Sequence, residues 1–303
     1  MIPVFGRHEG RASIRSSPAR VWLPLAPALG VVLGLFGGGL ALGGLQSLGY
    51  LPAAGMTALS LDAYRQILTD PDFIGSLWLT FYISGVSTVI AAGLSIVAAL
   101  ALIRGPGTRR LLHLVFQAPL MVPHLVIAVS IILLLSPAGM ISRLMVALGI
   151  TESSAAFPLL VNDPACVGII VTYVWKEVPF ITLMFLAVLR HTGAELLEVG
   201  RTLKAGRWQR FRFILLPTLA PALGGASLFV FAYTFGAFEV PFLLGRTYPM
   251  TLPVRAYRLY RDVDLMARPE GIATGIVIAV IVAGLVALTF WGVRWVHRRR
   301  GVL

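Results

Sequence analysis

Four ionisable side chains stand inside apolar stretches of the sequence, where charge is costly and is usually retained for a function. They are His124, Lys176, Glu177 and Glu239. Carboxylates in such places can attract a cation, hold a gate or exchange a proton. The spacings of metal ligands or of a nucleophile with its base do not accompany them. The sequence therefore predicts a binding or transport role for these groups and no catalytic residues.

Two consecutive apolar runs each carry the sequence Glu-Val-Pro-Phe, at 177–180 and at 239–242. A proline removes one backbone donor and can kink a helix. Pro179 and Pro241 therefore predict two weakened segments that line one pathway. The alternative is that both glutamates lie at headgroup level, where they reach water or pair with arginines.

Aromatic and basic neighbours of these carboxylates allow two interpretations. Trp175 and Phe238 stand beside them, and Trp175 is placed to form a cage for a cation. A belt or packing role is the favoured interpretation for Trp175. For Lys176 the favoured interpretation is structural, with its long side chain reaching a carbonyl or a carboxylate.

The third apolar run contains two prolines four residues apart, Pro119 and Pro123. We expect them to bend a spanning helix and to place His124 near its middle. A histidine there can be a hydrogen-bonded packing residue or part of a gate or solute site.

A charged segment, 190–218, lies between two long apolar runs and is called the docking segment below. A capping box at Thr192 and Glu195 predicts the start of a first short helix, and the pair Ala205-Gly206 predicts its end. The second predicted helix has an apolar stripe and leads into the next apolar run at a proline: Trp208, Phe211, Leu215 and Pro217. Two short amphipathic helices in such a position predict a docking surface for a soluble partner.

The composition is that of a membrane protein, since 57% of the 303 residues are hydrophobic and only 13% are charged. Apolar runs of about 20 residues are the usual signature of helices that cross a bilayer. Six such runs predict an all-α bundle of six transmembrane helices: 22–46, 75–103, 111–135, 165–189, 219–245 and 271–296. The first is too long for the core of a signal peptide, and its glycines predict that it packs on the outside of the bundle.

The net charge of +12 follows the topology of the chain. If the amino terminus is cytoplasmic, most of the 25 Lys and Arg residues lie in cytoplasmic segments, including 190–218. The positive-inside rule then places both termini in the cytoplasm. We therefore expect a multi-pass membrane protein, in contact with lipid and not with nucleic acid; its location in a bacterial inner membrane is implied by the resemblance given below.

The sequence contains one cysteine, Cys166, which excludes an intrachain disulfide and a thiolate metal cluster. It contains no phosphate-binding loop of the form Gly-x-x-x-x-Gly-Lys-Ser/Thr. If this chain is part of an ATP-driven machine, another polypeptide binds ATP and magnesium. We expect no cofactor and no metal in this chain.

The docking segment resembles the EAA loop of type I ABC importer permeases, beginning at Glu198 and continuing through Leu216-Pro217. It departs from that pattern at two places: Glu-Val-Gly replaces Glu-Ala-Ala, and Lys204 replaces the expected glycine, so that Gly206 is expected to supply the turn. The resemblance extends from near Phe73 to Val296. It implies that the loop docks in a groove of an ATPase subunit through these residues: Glu198, Gly200, Arg201, Lys204, Ala205, Gly206, Trp208, Phe211 and Pro217.

The resemblance also implies partners and a mechanism. Two ATPase subunits, a second permease subunit that is a copy or a relative, and a periplasmic solute-binding protein would complete the importer. The translocation pathway would pass the residues His124, Trp175, Glu177, Phe238 and Glu239. The branch that imports polyamines, ferric iron, thiamine or similar small polar solutes is the most similar. The alternative function is a secondary transporter or channel that works without an ATPase.

The chain divides into two predicted parts, a basic cytoplasmic segment at 1–20 and a transmembrane permease domain at 21–303. Three loops, 48–72, 136–163 and 246–270, are expected on the periplasmic side. The first two of these are each predicted to contain a short helix, near Ser60 to Arg65 and near Met140 to Leu148.

Overall fold

The computed structural model describes residues 18–103, 116–189, 199–200 and 202–299. The described chain contains helices long and apolar enough to cross a membrane, six in number. The predicted all-α bundle of six spans is thus confirmed. These spans are Pro24–Ser47, Pro71–Leu102, His124–Ala147, Val167–Val188, Arg207–Gly236 and Leu265–Gly292.

The helices are numbered in chain order. The first half of the chain holds α1 (Pro18–Val32), α2 (Gly38–Ser47), α3 (Asp62–Thr69), α4 (Pro71–Ile103), α5 (His124–Leu135) and α6 (Met140–Ala147). The second half holds α7 (Val167–Val188), α8 (Arg207–Arg210), α9 (Leu216–Gly236), α10 (Glu239–Leu244), α11 (Leu252–Tyr260) and α12 (Arg268–Arg299).

The first span lies outside the bundle, as its glycines predict. A π-helical turn at Leu33–Gly37 joins α1 to α2, and most side chains of both helices are exposed. Contact with the rest of the bundle is made mainly by α2 against α12, where Gly43 approaches the Ile272 side chain. Small residues allow such close helix approach in lipid.

The centre of the bundle is formed by α4, α7 and α9. Hydroxyl side chains donate hydrogen bonds to backbone carbonyls of their own helix or of a neighbouring helix. The Ser95 hydroxyl, for example, donates to the Val178 carbonyl at 3.0 Å. Apolar side chains fill the space between, with Tyr173, Ile181 and Val230 fully buried. This packing fixes α7, the helix that carries two of the charged residues, against its neighbours.

Two spans are broken where the sequence predicted continuous helices. In the third run, residues 116–121 are helical, the helix stops at 122–123, and α5 begins at His124. The predicted bend is therefore a complete break, because Pro123 cannot donate to the preceding turn. In the fifth run α9 ends at Gly236, and Glu239 is the first residue of the separate helix α10.

Helix α7, by contrast, runs unbroken through Pro179. The weakened segment predicted at Pro179 is therefore no break. At the second Glu-Val-Pro-Phe sequence the span is interrupted at 237–238, directly before Glu239, and Pro241 lies in the first turn of α10, where a missing N–H is tolerated.

The two short helices predicted in the loops 48–72 and 136–163 are confirmed as α3 and α6. Two side-chain contacts join the turn after α3 and the first turn of α4 to α11 and to the loop before it. Arg255 pairs with Asp70, and the Tyr248 hydroxyl donates to Asp72 at 2.5 Å. These contacts close what we call the α3 end of the bundle, which lies opposite the docking segment.

Candidate functional site

Three helices bring polar side chains together beside the break at 122–123. The His124 Nε2 atom lies 3.3 Å from Glu177 Oε1, and the Tyr233 hydroxyl lies 3.0 Å from His124 Nδ1. Since a carboxylate only accepts, Nε2 carries the proton in this arrangement. We call Tyr173, Lys176, Glu177, His124 and Tyr233 the polar cluster. It joins α5, α7 and α9 at one point.

Lys176 and Glu177 are both buried, at 7% and 8% exposure, yet they do not pair with each other. Lys176 Nζ instead donates to the carbonyls of Pro119 at 2.9 Å and Leu120 at 3.3 Å, and also to that of Val122. Its predicted structural role, reaching a carbonyl, is thereby confirmed. The ammonium group is thus hydrogen-bonded to carbonyls at the break and, among the described residues, to no carboxylate.

Tyr173 and Tyr233 are members of the cluster that the sequence did not single out. Tyr173 is fully buried and its hydroxyl has no hydrogen-bond partner among the described residues. It stands four residues before Glu177, so the helical period places both on one face, and that signal was available in the sequence. Tyr233 lies 109 residues from His124 and carried no local signal.

Glu239 lies near this cluster but is exposed on the surface of the chain. Its charge acts electrostatically on the hydroxyls of Tyr173 and Tyr233. The neighbouring Phe238 packs its ring against Tyr257, with ring centres 4.4 Å apart. Glu239 and Glu177 thus lie within electrostatic range of the same two tyrosines, and the predicted pathway role of Phe238 stays a prediction.

Trp175 faces away from the cluster. Its half-exposed ring lines an apolar groove of about 540 Å³ together with Phe116, Pro119 and Val178. This position fits the packing role that the sequence favoured for Trp175 over a cation cage with Glu177. Among the described residues, no group of three or more His, Cys, Asp or Glu side chains could hold a metal ion.

The docking segment is described from 199 to 217 except for residue 201, so the predicted roles of Glu198 and Arg201 lie outside the described residues. Val199 and Gly200 are helical, and the helix ends in a turn at Leu203-Lys204. Lys204 itself has the left-handed conformation, with φ of 56°. The expectation that Gly206 supplies the turn is wrong, because Gly206 has φ of −63° and begins the next helix.

Two close contacts fold the segment back on itself. The backbone N–H of Gly206 donates to Gln209 Oε1 at 2.8 Å. Gly200 is buried, and a Cβ atom there would lie 2.7 Å from the end of the Ile214 side chain and 3.1 Å from Arg210 Cγ. The absence of a side chain at Gly200 therefore lets the two helices of the segment touch.

The second predicted helix is not separate from the fifth span. Helix α8, a π-helical turn at Phe211–Leu215 and α9 follow one another without interruption, and Pro217 lies in the first turn of α9. The second docking helix and the membrane span that bears Tyr233 are therefore parts of one continuous helix.

The surface of the docking segment is unusually apolar. Leu203, Trp208 and Phe213 are exposed at 76%, 70% and 73%. Trp208 stacks beside Phe211 with ring centres 5.5 Å apart, and arginines surround them. A large aromatic residue ringed by basic groups is typical of a protein-binding surface.

Comparison with known protein families decides what this fold is. A family model described as binding-protein-dependent transport system inner membrane component matches residues 91–302. The chain belongs to this family. The predicted relation to ABC importer permeases is thereby confirmed, and the docking segment falls within the matched region.

Named relatives support the same assignment. The inner membrane ABC transporter permease YnjC of Escherichia coli is 26% identical over 77% of this chain and 44% of its own length, so this chain spans less than half of that relative. The molybdenum transport permease ModB of Azotobacter vinelandii is 27% identical over 54% of this chain and 70% of its length. The glycerol-3-phosphate transport permease UgpA of Agrobacterium fabrum is 26% identical over 80% and 81%.

Among solved structures, a chain of a bacterial ABC transporter that imports alginate superposes with a TM-score of 0.77. It is 21% identical and the match covers 90% of this chain and 94% of that one. At this identity the likeness establishes the fold alone.

Proposed function

We propose that this chain is the membrane subunit of an ATP-driven importer and that its solute carries positive charge. The importer would contain two ATPase subunits, which bind ATP and magnesium, a second permease subunit and a periplasmic binding protein. ATP hydrolysis belongs to the separate ATPase subunits, and this chain is not catalytic. The family assignment favours this function over a secondary transporter or channel.

The observation that carries the proposal is the arrangement of charge around the break. Glu177 and Glu239 are the two carboxylates near the cluster, and the one nearby ammonium, on Lys176, is engaged by three backbone carbonyls. Two carboxylates without a lysine or arginine partner among the described residues give this region negative potential. Such a surface attracts cations and repels anions.

Exposure indicates which side of the chain lines the pathway. Glu239 is exposed although it adjoins apolar spans, and a carboxylate facing lipid would cost at least about 2.5 kcal/mol. We therefore infer that Glu239 faces water or the second permease subunit. Tyr233, His124 and Glu177 then line the same cavity. The hydroxyl of the buried Tyr173, which has no hydrogen-bond partner among the described residues, lies behind Glu177.

The proposed solute differs from those in the names of several relatives. Molybdenum and sulfate permeases are among the similar proteins, and oxyanions of that kind would be repelled by Glu177 and Glu239. Polyamines, thiamine and ferric iron carry the opposite charge and remain our prediction. The names of relatives identify their own solutes and leave this one open.

We assign to the docking segment the transmission of movement from the two ATPase subunits when they close on ATP. Trp208, Phe213 and Leu203 would enter a groove of the ATPase, with Glu198 and Arg201 shaping the first helix. Because α8 continues into α9, movement at Trp208 would reach Tyr233 along one helix. The remaining predicted residues of the segment shape its turn and its internal packing.

A transport assay tests the proposed solute. The complex that co-purifies with this chain, combined with its binding protein in proteoliposomes, should take up spermidine, thiamine or a ferric complex in an ATP-dependent manner. Molybdate and sulfate, tested in the same vesicles, should not be taken up. ATP-dependent uptake of an oxyanion and of none of the cations would overturn the proposal.

Orientation is proposed from the positive-inside rule, with both termini and the docking segment in the cytoplasm. Single cysteines at Ser16, Thr108 and Arg299 should resist an impermeant thiol reagent in intact cells, whereas cysteines at the exposed Asp62 and Asp262 should react. Labelling of Thr108→Cys from outside would reverse the assignment.

The native cysteine interferes little with that assay. Cys166 is buried, and desolvation by burial, with a further contribution from Asp163, raises the pKa of its thiol to about 11. The thiolate is the reactive form, so Cys166 stays largely unreactive at neutral pH. Replacing Cys166 removes the remaining background.

A further inference from the structure

The break at 122–123 leaves backbone carbonyls without their usual donors. In a continuous helix the Pro119 carbonyl would accept from residue 123, but Pro123 has no N–H, and this carbonyl keeps only a long backbone bond of 3.4 Å from the Val122 N–H. The N–H of Val126, which would serve the Val122 carbonyl, donates instead to Pro123 at 3.1 Å. Carbonyls left unpaired at this depth would each cost several kcal/mol, so a break here requires an added donor.

Lys176 supplies that donor from another helix. An ammonium group has three N–H donors and no acceptor, and Lys176 Nζ meets three carbonyls, those of Pro119, Leu120 and Val122. The charged ammonium group therefore has as many N–H donors as there are carbonyls around it. A positive charge is also favoured at the C-terminal end of a helical segment, where the carbonyls point.

Glu177 contacts the residue on the other side of the same break. Its carboxylate meets His124, the first residue of α5, and a negative charge is favoured at that helix end. Adjacent residues of a helix point about 100° apart, which lets two consecutive side chains of α7 reach opposite sides of the break. The signs of both charges fit the helix ends that they meet.

We propose that Lys176 is a positioning residue that holds the third span as two pieces joined at a preformed hinge. With Glu177 it clamps the piece 116–121 and α5 to α7, and thereby sets His124 against Glu177 and Tyr233. Opening of the pathway then moves the two pieces about residues 122–123, while α7 stays whole. The inference concerns this chain's own backbone and holds whatever the solute is.

Hydrogen–deuterium exchange on the assembled complex in lipid nanodiscs tests the clamp. In Lys176→Met, the amides of 120–122 and 124–127 should exchange at least about tenfold faster than in the wild type, because local opening there loses its restraint. Lys204→Met is the matched control, since it removes the chain's only other lysine at the exposed turn. It should leave exchange across 116–127 unchanged.

Rescue by charge separates positioning from simple packing. Lys176→Arg keeps the charge and the donors, so it should protect the same amides better than Lys176→Met, although methionine fits the buried volume more easily. Unchanged exchange across 116–127 in Lys176→Met, or equal loss of protection in the arginine and methionine variants, would overturn the proposal.

A second variant covers the case in which Lys176→Met does not assemble. Glu177→Gln removes only the grip on α5, so exchange should rise at 124–127 and stay at the wild-type rate at 120–122. Equal acceleration on both sides of the break would show that Lys176 does not anchor the first piece, and would contradict the clamp.

Discussion

In the polar cluster, contacts join residues 53 and 109 positions apart, whereas in the docking segment the Gly206–Gln209 contact spans three positions. The cluster is largely buried and pairs polar groups inside the bundle. The docking segment exposes Leu203, Trp208 and Phe213. Most polar groups of the first region meet partners within the chain, although the Tyr173 hydroxyl has none among the described residues, whereas the second region presents exposed apolar side chains.

Under the proposed function, this difference is what we expect of a gate in the polar cluster and a lever in the docking segment. A region held by distant contacts is sensitive to rearrangement of whole helices, as a gate must be. A region held by local contacts keeps its shape when the helices move, as a lever must. The unbroken helix from α8 to α9 joins the two.

The largest effect is expected at Glu198 of the docking segment. Glu198→Ala should leave the chain in the membrane but lower ATP-coupled uptake by about 10- to 100-fold, since a charge-assisted hydrogen bond is worth about 1.5–3 kcal/mol. Uptake and ATPase activity of the purified complex measure this effect. Glu152→Ala removes an exposed carboxylate near the α3 end and should change neither. Full solute-stimulated ATPase activity with normal uptake in Glu198→Ala would contradict the assignment.

A smaller effect is expected in the cluster. Tyr233→Phe removes the hydroxyl that meets His124 and should loosen the gate by about 1 kcal/mol, raising solute-independent ATPase activity about fivefold. Tyr82→Phe is the control, because its hydroxyl donates to the Ala165 carbonyl outside the cluster. Equal activity of the two variants would remove Tyr233 from the gate.

The smallest effect concerns the turn of the docking segment. Lys204→Gly should stabilise the chain by about 0.5–1 kcal/mol, because glycine adopts the left-handed conformation without a steric penalty. Thermal unfolding of the complex in detergent reports the change. Transport should be retained if Lys204 serves the turn and not the partner.

Gly206→Ala is the matched control for that turn. Gly206 has an ordinary φ, and the nearest atom to an added Cβ is Gln209 Oε1 at 3.5 Å. The free energy of unfolding of Gly206→Ala should therefore fall by no more than about 1 kcal/mol, the usual range for a substitution at a helix N-cap. If Gly206→Ala unfolds the segment while Lys204→Gly destabilises it, the turn has been assigned to the wrong residue.

The sequence predicted what depends on neighbouring residues. Hydrophobic run length predicted the six spans, and local polarity predicted α3, α6 and the end of the first docking helix. Lys204 shows the limit even of local patterns, since a lysine occupies a conformation that composition would give to Gly206. Across that turn the backbone N–H of Ala205 donates to the Gly200 carbonyl at 3.0 Å.

The polar cluster depended on tertiary structure and could be predicted only in part. His124, Glu177 and Glu239 stood out as polar groups in apolar runs, but Tyr233 is an ordinary residue until α9 packs beside α5. The break at 122–123 was underestimated as a bend because its compensation comes from Lys176, 54 residues away from Val122. A proline indicates where a helix can break, and the partner of the freed carbonyls decides whether it does.

The most direct test of the central claim is the uptake of a cationic solute by Glu177→Gln and Glu239→Gln. Glutamine keeps the shape and removes the charge, so uptake should fall by at least about tenfold in each variant, the change expected when one nearby charge is lost in a partly dry site. Assembly with the ATPase should be unaffected, and Glu152→Gln should transport like the wild type. Unchanged uptake and unchanged ATPase activity in both cluster variants would contradict the account and leave the two carboxylates as surface groups at the membrane boundary.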